Sequence, residues 1–211
     1  MSIRAVFLDR DGVINRKAPE GDYVKSWAEF AFLPGVIEAL RMLIRNGIKA
    51  IVVSNQRGIA LGRLSEEGLA EIHRRMLATL EAEAAPISAL YYCPHDVGVC
   101  RCRKPQTELF QRAQRDFPGL DFREAFVVGD SVVDMEAAER LGAKKILIAG
   151  PEADVLPALN RKAIRVDFLV CSLLEATASY ILPSDNGSQF ADRAASREAN
   201  RLTSRYEGML L

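Results

Sequence analysis

Apolar positions recur along the chain in two alternating rhythms. Short runs rich in β-branched residues, Ile3–Leu8, Lys49–Ser54, Ala89–Cys93, Ala125–Gly129, Lys144–Ala149 and Arg165–Val170, read as strands, and most are almost wholly apolar. Between them lie longer segments of helical period: Gly35–Arg45, Glu66–Glu83, Thr107–Phe117, Val132–Leu141, Ala153–Arg161 and Ser172–Ile181. Strand and helix in strict alternation predict an α/β fold, a doubly wound parallel sheet covered by helices on both faces. Punctuation agrees with this reading. Asn46-Gly47 and Leu141-Gly142 put glycine where a helix ends in a left-handed residue, and Ser65 before Glu66 and Glu67 is a helix N-cap.

Two segments break the rhythm. Asn15 to Leu33 is a long connection containing Tyr23, Trp27, Phe30 and Phe32, and loops of that length inside a compact domain are usually functional. Beyond Pro183 the chain turns polar, so the expected organisation is one domain over 1–182 and a tail over 183–211. That tail is either helical, with Phe190, Ala194, Leu202 and Tyr206 near one face, or disordered.

At 211 residues the chain can bury a core without a disulfide scaffold. Its 28 basic and 28 acidic residues cancel, so no overall field draws in nucleic acid or an anionic membrane surface. No apolar run approaches the roughly 20 residues of a membrane span, and the N-terminal residues run straight into a strand without a leader pattern. The expected compartment is the cytoplasm. The expected state is a monomer, with dimerisation through the tail as the alternative.

The chemistry collects at strand ends. FLDRDGVIN places Asp9 and Asp11 just past the first strand, and AFVVGD delivers Asp130 to the same edge, with Asp134 one helical turn later. In an open parallel sheet that edge is where ligands bind. Carboxylates gathered there raise one another's pKa, and a hard divalent cation, Mg²⁺, removes that cost. The strand Lys49–Ser54 runs into Ser54-Asn55-Gln56-Arg57-Gly58, a turn able to donate hydrogen bonds to phosphate oxygens. Lys104, from Cys102-Arg103-Lys104-Pro105, adds a fixed positive charge. A hydroxyl, a lysine, clustered carboxylates and a metal describe a phosphoryl-transfer site.

Immediately before Lys104 stand Cys93, His95, Cys100 and Cys102, a Cys₃His set with the ligand count of a closed structural zinc site. A disulfide explains the histidine poorly, and a Cys-x-Cys bridge would need a strained ring. Zinc here would preorganise the segment carrying Arg103 and Lys104. The fourth cysteine, Cys171, reads as a small buried apolar residue, and His73, beside Arg74 and Arg75, as a surface residue.

Taken in order, FLDRDGVIN, VVSNQRG, CRKP and VVGDSVVDMEAA resemble the four motifs of the haloacid dehalogenase superfamily over roughly Ile3 to Gly150. No long insertion follows the first or second motif, which points to its capless phosphatases. YYCPH…CxCRKP is similar to the subgroup of heptose-bisphosphate and histidinol-phosphate phosphatases, and NQRGIALG leans toward the heptose branch, with Leu61 where that branch commonly has Arg. The resemblance implies a Rossmann-like domain that hydrolyses a sugar phosphate. Its substrate would be the C7 phosphate of D-glycero-D-manno-heptose 1,7-bisphosphate, with histidinol phosphate or another small phosphomonoester as the alternative.

It further implies that Asp9 is the nucleophile and Asp11 the acid and base. Mg²⁺ would rest on Asp9, the Asp11 carbonyl and Asp130, while Ser54, Asn55 and Lys104 hold the phosphoryl oxygens. Asp134 would act behind these groups, orienting Lys104 or a metal-bound water. Arg57, Arg103 and the Asn15–Tyr23 loop would meet the rest of the substrate. A phospho-aspartate signalling module is the competing class, but an acid two residues after the nucleophile promotes turnover where a switch needs persistence.

Overall fold

The computed structural model describes residues 4–149 and 155–182. Strands β1 (Ala5–Leu8), β2 (Lys49–Asn55), β3 (Ala89–Cys93), β4 (Phe126–Gly129), β5 (Lys144–Ile148) and β6 (Phe168–Val170) form one sheet in the order β3-β2-β1-β4-β5-β6. Every adjacent pair is parallel. Helices α1 (Val36–Arg45), α2 (Glu66–Ala82), α3 (Glu108–Asp116), α4 (Val132–Leu141), α5 (Val155–Arg161) and α6 (Leu173–Ala176) supply the covering layers.

Alternation along the strands divides the core in two. Val6 and Leu8 of β1 join Ala50 and Val52 of β2 against Leu40 and Leu43 of α1, Leu69 and Met76 of α2, and Leu173 of α6. Ala5 and Phe7 point the other way, meeting Ile51, Val53 and Val127, with Leu109 and Phe110 of α3 and Ala137 and Ala138 of α4. Each fully buried Leu or Phe contributes about 1.5–3 kcal/mol. Both faces being covered is why the strands lack polar alternation.

Helix punctuation follows the sequence reading. The Ser65 side chain accepts from the Gly68 amide (3.0 Å), and Gly142 closes α4 at φ 68°. β6 is shorter than expected because the Asp167 carboxylate accepts from the Lys145 amide (2.7 Å) just before the strand begins. Helix α6 closes as a π-helical turn over Thr177–Ile181, with the Leu182 amide donating to the Thr177 carbonyl (2.9 Å). The predicted starts at Ile3 and Ala153, and the tail over 183–211, lie outside the described residues. The expected domain boundary at 182 falls with them.

Two single-residue expectations are corrected. Cys171 is exposed: edge strand β6 turns Val170 inward, so the next side chain faces out. His73 is buried at 7% exposure, because it shares the inward stripe of α2 with Leu69, Ile72, Met76 and Leu80 while Arg74 and Arg75 point away. The aromatic connection also divides in function. Trp27 stacks on Phe30 (4.9 Å) and Phe30 meets Phe32 edge-on (5.0 Å), all packed against the core.

The order of strands decides where chemistry can occur. From β1 the chain winds outward through β2 and β3, then crosses back to β4 on the opposite side of β1. This reversal leaves a crevice beyond the carboxyl ends of β1 and β4. Asp9 follows β1 and Asp130 follows β4.

Candidate active site

The strand-end carboxylates converge as their spacing suggested. Oxygens of Asp9, Asp130 and Asp134 all lie within 4.8 Å of one another. Two glycines make this approach possible. A Cβ on Gly129 would fall 2.3 Å from the Asp134 Cβ, and one on Gly12, at φ 91°, would fall 2.2 Å from Asp130 Oδ2. Lys104 is buried among the acids: Nζ lies 2.9 Å from Asp9 Oδ1 and 2.6 Å from Asp134 Oδ1, and donates to the Val53 carbonyl (2.6 Å). Ser131 donates to the remaining Asp134 oxygen. Asp134 thus holds Lys104 in place.

Burial pushes Asp9 up to about 7, against the pull of Lys104 and with the help of Asp134, Asp130 and Asp11. Burial likewise raises Asp130, opposed by the Lys17 hydrogen bond. Burial works against the Lys104 ammonium, but Asp134 and Asp9 outweigh it and hold its pKa above the usual lysine value. Hard oxygens crowded to the point of raising each other's pKa form the donor set a divalent cation fits.

Asp11 is held by groups that the sequence reading did not single out. Arg10 Nη2 donates to both Asp11 oxygens (2.9 Å each), Asn15 Nδ2 to Oδ1 (2.9 Å) and Gln56 Nε2 to Oδ2 (2.9 Å). Burial acts to raise Asp11, but the Arg10 charge and these hydrogen bonds outweigh it and leave its pKa below the usual carboxylate value. Arg10 is itself fully buried, and its Nη1 donates to His73 Nε2 (3.2 Å). Burial first, then the Arg10 charge, lowers His73 to about 3. The period of α2 could have revealed His73. Nothing local marks Arg10 as buried.

A cavity of about 220 Å³ opens over these groups, lined by Asp9, Asp11, Asp130, Lys104, Asn55 and Gln56, together with Arg103, Lys17 and Tyr23. Asn55 ties the Lys104 segment to β2, accepting from the Lys104 amide (2.9 Å) and donating to its carbonyl (3.1 Å). Ser54, expected to meet the phosphoryl oxygens, is instead buried beneath Gln56, whose Nε2 donates to its Oγ (2.7 Å), and is not among the lining residues. Arg57 is not among the lining residues: Asp96 engages its Nε at 2.5 Å. Lys17, from the Asn15–Tyr23 loop, reaches across to Asp130 Oδ2 (2.9 Å).

The cysteine loop gathers as expected. Cys93, His95, Cys100 and Cys102 bring their ligand atoms within 4.8 Å of one another, with Cys102 Sγ 3.1 Å from Cys93 Sγ and 3.2 Å from His95 Nδ1. None of the cysteines is in a disulfide. Burial, then the crowding sulfurs of Cys93 and Cys100, pushes the Cys102 thiol well above its usual value. Three thiol sulfurs and an imidazole nitrogen within 4.8 Å of one another suit a zinc ion.

A Rossmann-like sheet with acids, a buried lysine and a capless cavity at its switch point defines a class of phosphoryl-transfer hydrolases. A family model described as "HAD-hyrolase-like" matches residues 101–176. The chain belongs to the haloacid dehalogenase-like hydrolases. Within them it is 40% identical over 157 residues to D-glycero-beta-D-manno-heptose-1,7-bisphosphate 7-phosphatase of Vibrio cholerae, a match covering 70% of this chain and 82% of that protein. It is 39% identical over 139 residues to D-glycero-alpha-D-manno-heptose-1,7-bisphosphate 7-phosphatase of Mycobacterium bovis, covering 65% and 73%. Among solved structures it resembles D,D-heptose 1,7-bisphosphate phosphatase from B. bronchiseptica complexed with magnesium and phosphate. There the TM-score is 0.72 at 28% identity, covering 83% of this chain and 96% of that one.

Proposed function

We propose that this chain is a Mg²⁺-dependent phosphatase that removes the C7 phosphate of D-glycero-D-manno-heptose 1,7-bisphosphate through an aspartyl-phosphate. The observation that carries the reading is Asp9, Asp11, Lys104 and Asp130 meeting at one cavity, in a chain similar to enzymes of that name.

The Asp9 carboxylate attacks phosphorus and the bond from phosphorus to the sugar oxygen breaks, while Asp11 gives that oxygen a proton. Water then attacks the acyl phosphate, Asp11 takes the proton back, and Asp9 and inorganic phosphate are released. The Arg10 hydrogen bonds favour the Asp11 carboxylate, and the arriving phosphate, a like charge, pushes its pKa back up toward the donor form. Asn55 and Lys104, which line the cavity, hold the phosphoryl oxygens, and Ser54 braces Gln56 from beneath by accepting from its Nε2. Asp9, the Asp11 carbonyl and Asp130 would hold Mg²⁺, which screens nucleophile from phosphate and stabilises charge on the transferring group. Zinc on the Cys₃His set would stiffen the approach to Arg103 and Lys104. Arg103, which lines the cavity and has a buried Nη1 without a partner, suits the second phosphate, because a guanidinium binds phosphate bidentately.

The test is phosphate release from both anomers of the heptose bisphosphate and from histidinol phosphate, with and without Mg²⁺. The bisphosphate should be preferred, Mg²⁺ should be required, and Asp9→Asn should abolish turnover in a folded protein. Preference for histidinol phosphate would overturn the substrate, and appreciable turnover by Asp9→Asn would overturn the covalent route.

A further inference from the structure

We infer that His73 is a positioning residue for Asp11 and acts through Arg10. The inference rests on the reading of Asp11 as proton donor, and the geometry extends that reading by one layer. Arg10 is 0% exposed and cannot shed its charge, so its orientation is set by the acceptors it finds. One end, Nη2, meets both oxygens of Asp11 at 2.9 Å. The other end, Nη1, meets His73 Nε2 at 3.2 Å.

A guanidinium is planar, so fixing both ends fixes the plane in which it presents itself to the Asp11 carboxylate. The His73 ring is braced in turn by Tyr92, edge-on at 5.4 Å. His73 does not line the cavity and meets no substrate there. Arg10 Nε already lacks a partner; with the imidazole acceptor gone, Nη1 becomes a second buried donor without one, and rotation is how Arg10 finds another acceptor. Rotation would withdraw both Arg10 bonds from the Asp11 carboxylate and leave its orientation to Asn15 and Gln56 alone.

A proton donor matters for a poor leaving group and hardly at all for a good one. The readout is therefore the ratio of kcat/KM for heptose bisphosphate to kcat/KM for p-nitrophenyl phosphate, whose nitrophenolate departs unprotonated. Because kcat/KM stops at the first irreversible step, hydrolysis of the phosphoenzyme does not enter. His73→Gln carries an amide that reaches the position of Nε2, whereas His73→Asn reaches only that of Nδ1.

His73→Asn should lower the ratio about tenfold, a fraction of what a full general acid supplies, and His73→Gln should recover most of it. A merely structural role would slow both substrates alike, so an unchanged ratio in folded His73→Asn overturns the inference. Asp11→Ala separates the two layers. If it leaves the ratio unchanged the reading of Asp11 falls, and if it shifts the ratio while His73→Asn does not, only the role of His73 falls. The wild-type enzyme gives a check that needs no variant: the imidazole nitrogen NMR signals at pH 7.5 should show Nε2 unprotonated, and a proton there would overturn the contact.

Discussion

His73 should make this fold sensitive to mild acid in a way that one substitution removes. In the folded chain the imidazole is buried and faces a permanent cation, so its pKa falls to about 3, whereas the unfolded chain titrates near 6.5. Between those values the unfolded state binds more protons, so stability is complete above the unfolded pKa and is lost as pH falls through it. The linkage relation with these two pKa values gives a loss of about 2 kcal/mol between pH 7.5 and pH 5. Protonation would also turn Nε2 into a donor facing the donor Nη1 of Arg10, so the contact itself opposes it.

Urea unfolding followed through Trp27, the single tryptophan, and extrapolated linearly at both pH values measures the effect. Other acid-sensitive groups, the cysteine loop among them, cancel when wild type is compared with His73→Gln. The wild type should lose about 2 kcal/mol more than the variant over that interval. Equal losses would mean that His73 titrates normally, and would refute the reasoning from burial and from Arg10.

Three further outcomes are expected. Gly129→Ala sets a Cβ 2.3 Å from that of Asp134, so it should displace the Asp134–Lys104 pair, reduce turnover at least tenfold and lower the melting temperature; an active, equally stable variant would contradict the close approach. Arg103→Ala should raise KM for the bisphosphate well above its effect on p-nitrophenyl phosphate, and equal damage to both would place Arg103 at the reacting phosphate or in folding. Stripping zinc with a chelator and restoring saturating Mg²⁺ should lower activity and thermal stability, and an undiminished rate would mean that the Cys₃His loop does not order the site.

Much of the active edge was legible one residue at a time. Asp9, Asp130 and Lys104 stand at the ends of apolar strands or beside a turn, and a parallel sheet sends all its strand ends to one side. The cysteine cluster was legible for a simpler reason, since its ligands are near neighbours in the chain. The long-range partners were hidden. Gln56 sits in a turn among other polar residues, and nothing in the local pattern marks Arg10 or Lys17 as a partner of the acids. His73 carries a misleading context in Arg74 and Arg75, although Leu69 and Met76, four before and three after, mark its face as buried.

The sequence by itself determined the alternation of strand and helix, the two-sided burial, the acids at the strand ends and the Cys₃His cluster. Each depends on periodicity or on short spacing, which the backbone geometry of helix and strand converts directly into position. Only the tertiary structure decided which side chains close on those acids. The strand order β3-β2-β1-β4-β5-β6 puts β1 beside β4 and so brings Asp9 to Asp130. The packing of α2 places His73 against Arg10, 63 residues away in the chain. Such contacts are settled by how layers stack and which charges must find partners once water is excluded, and no local pattern encodes that.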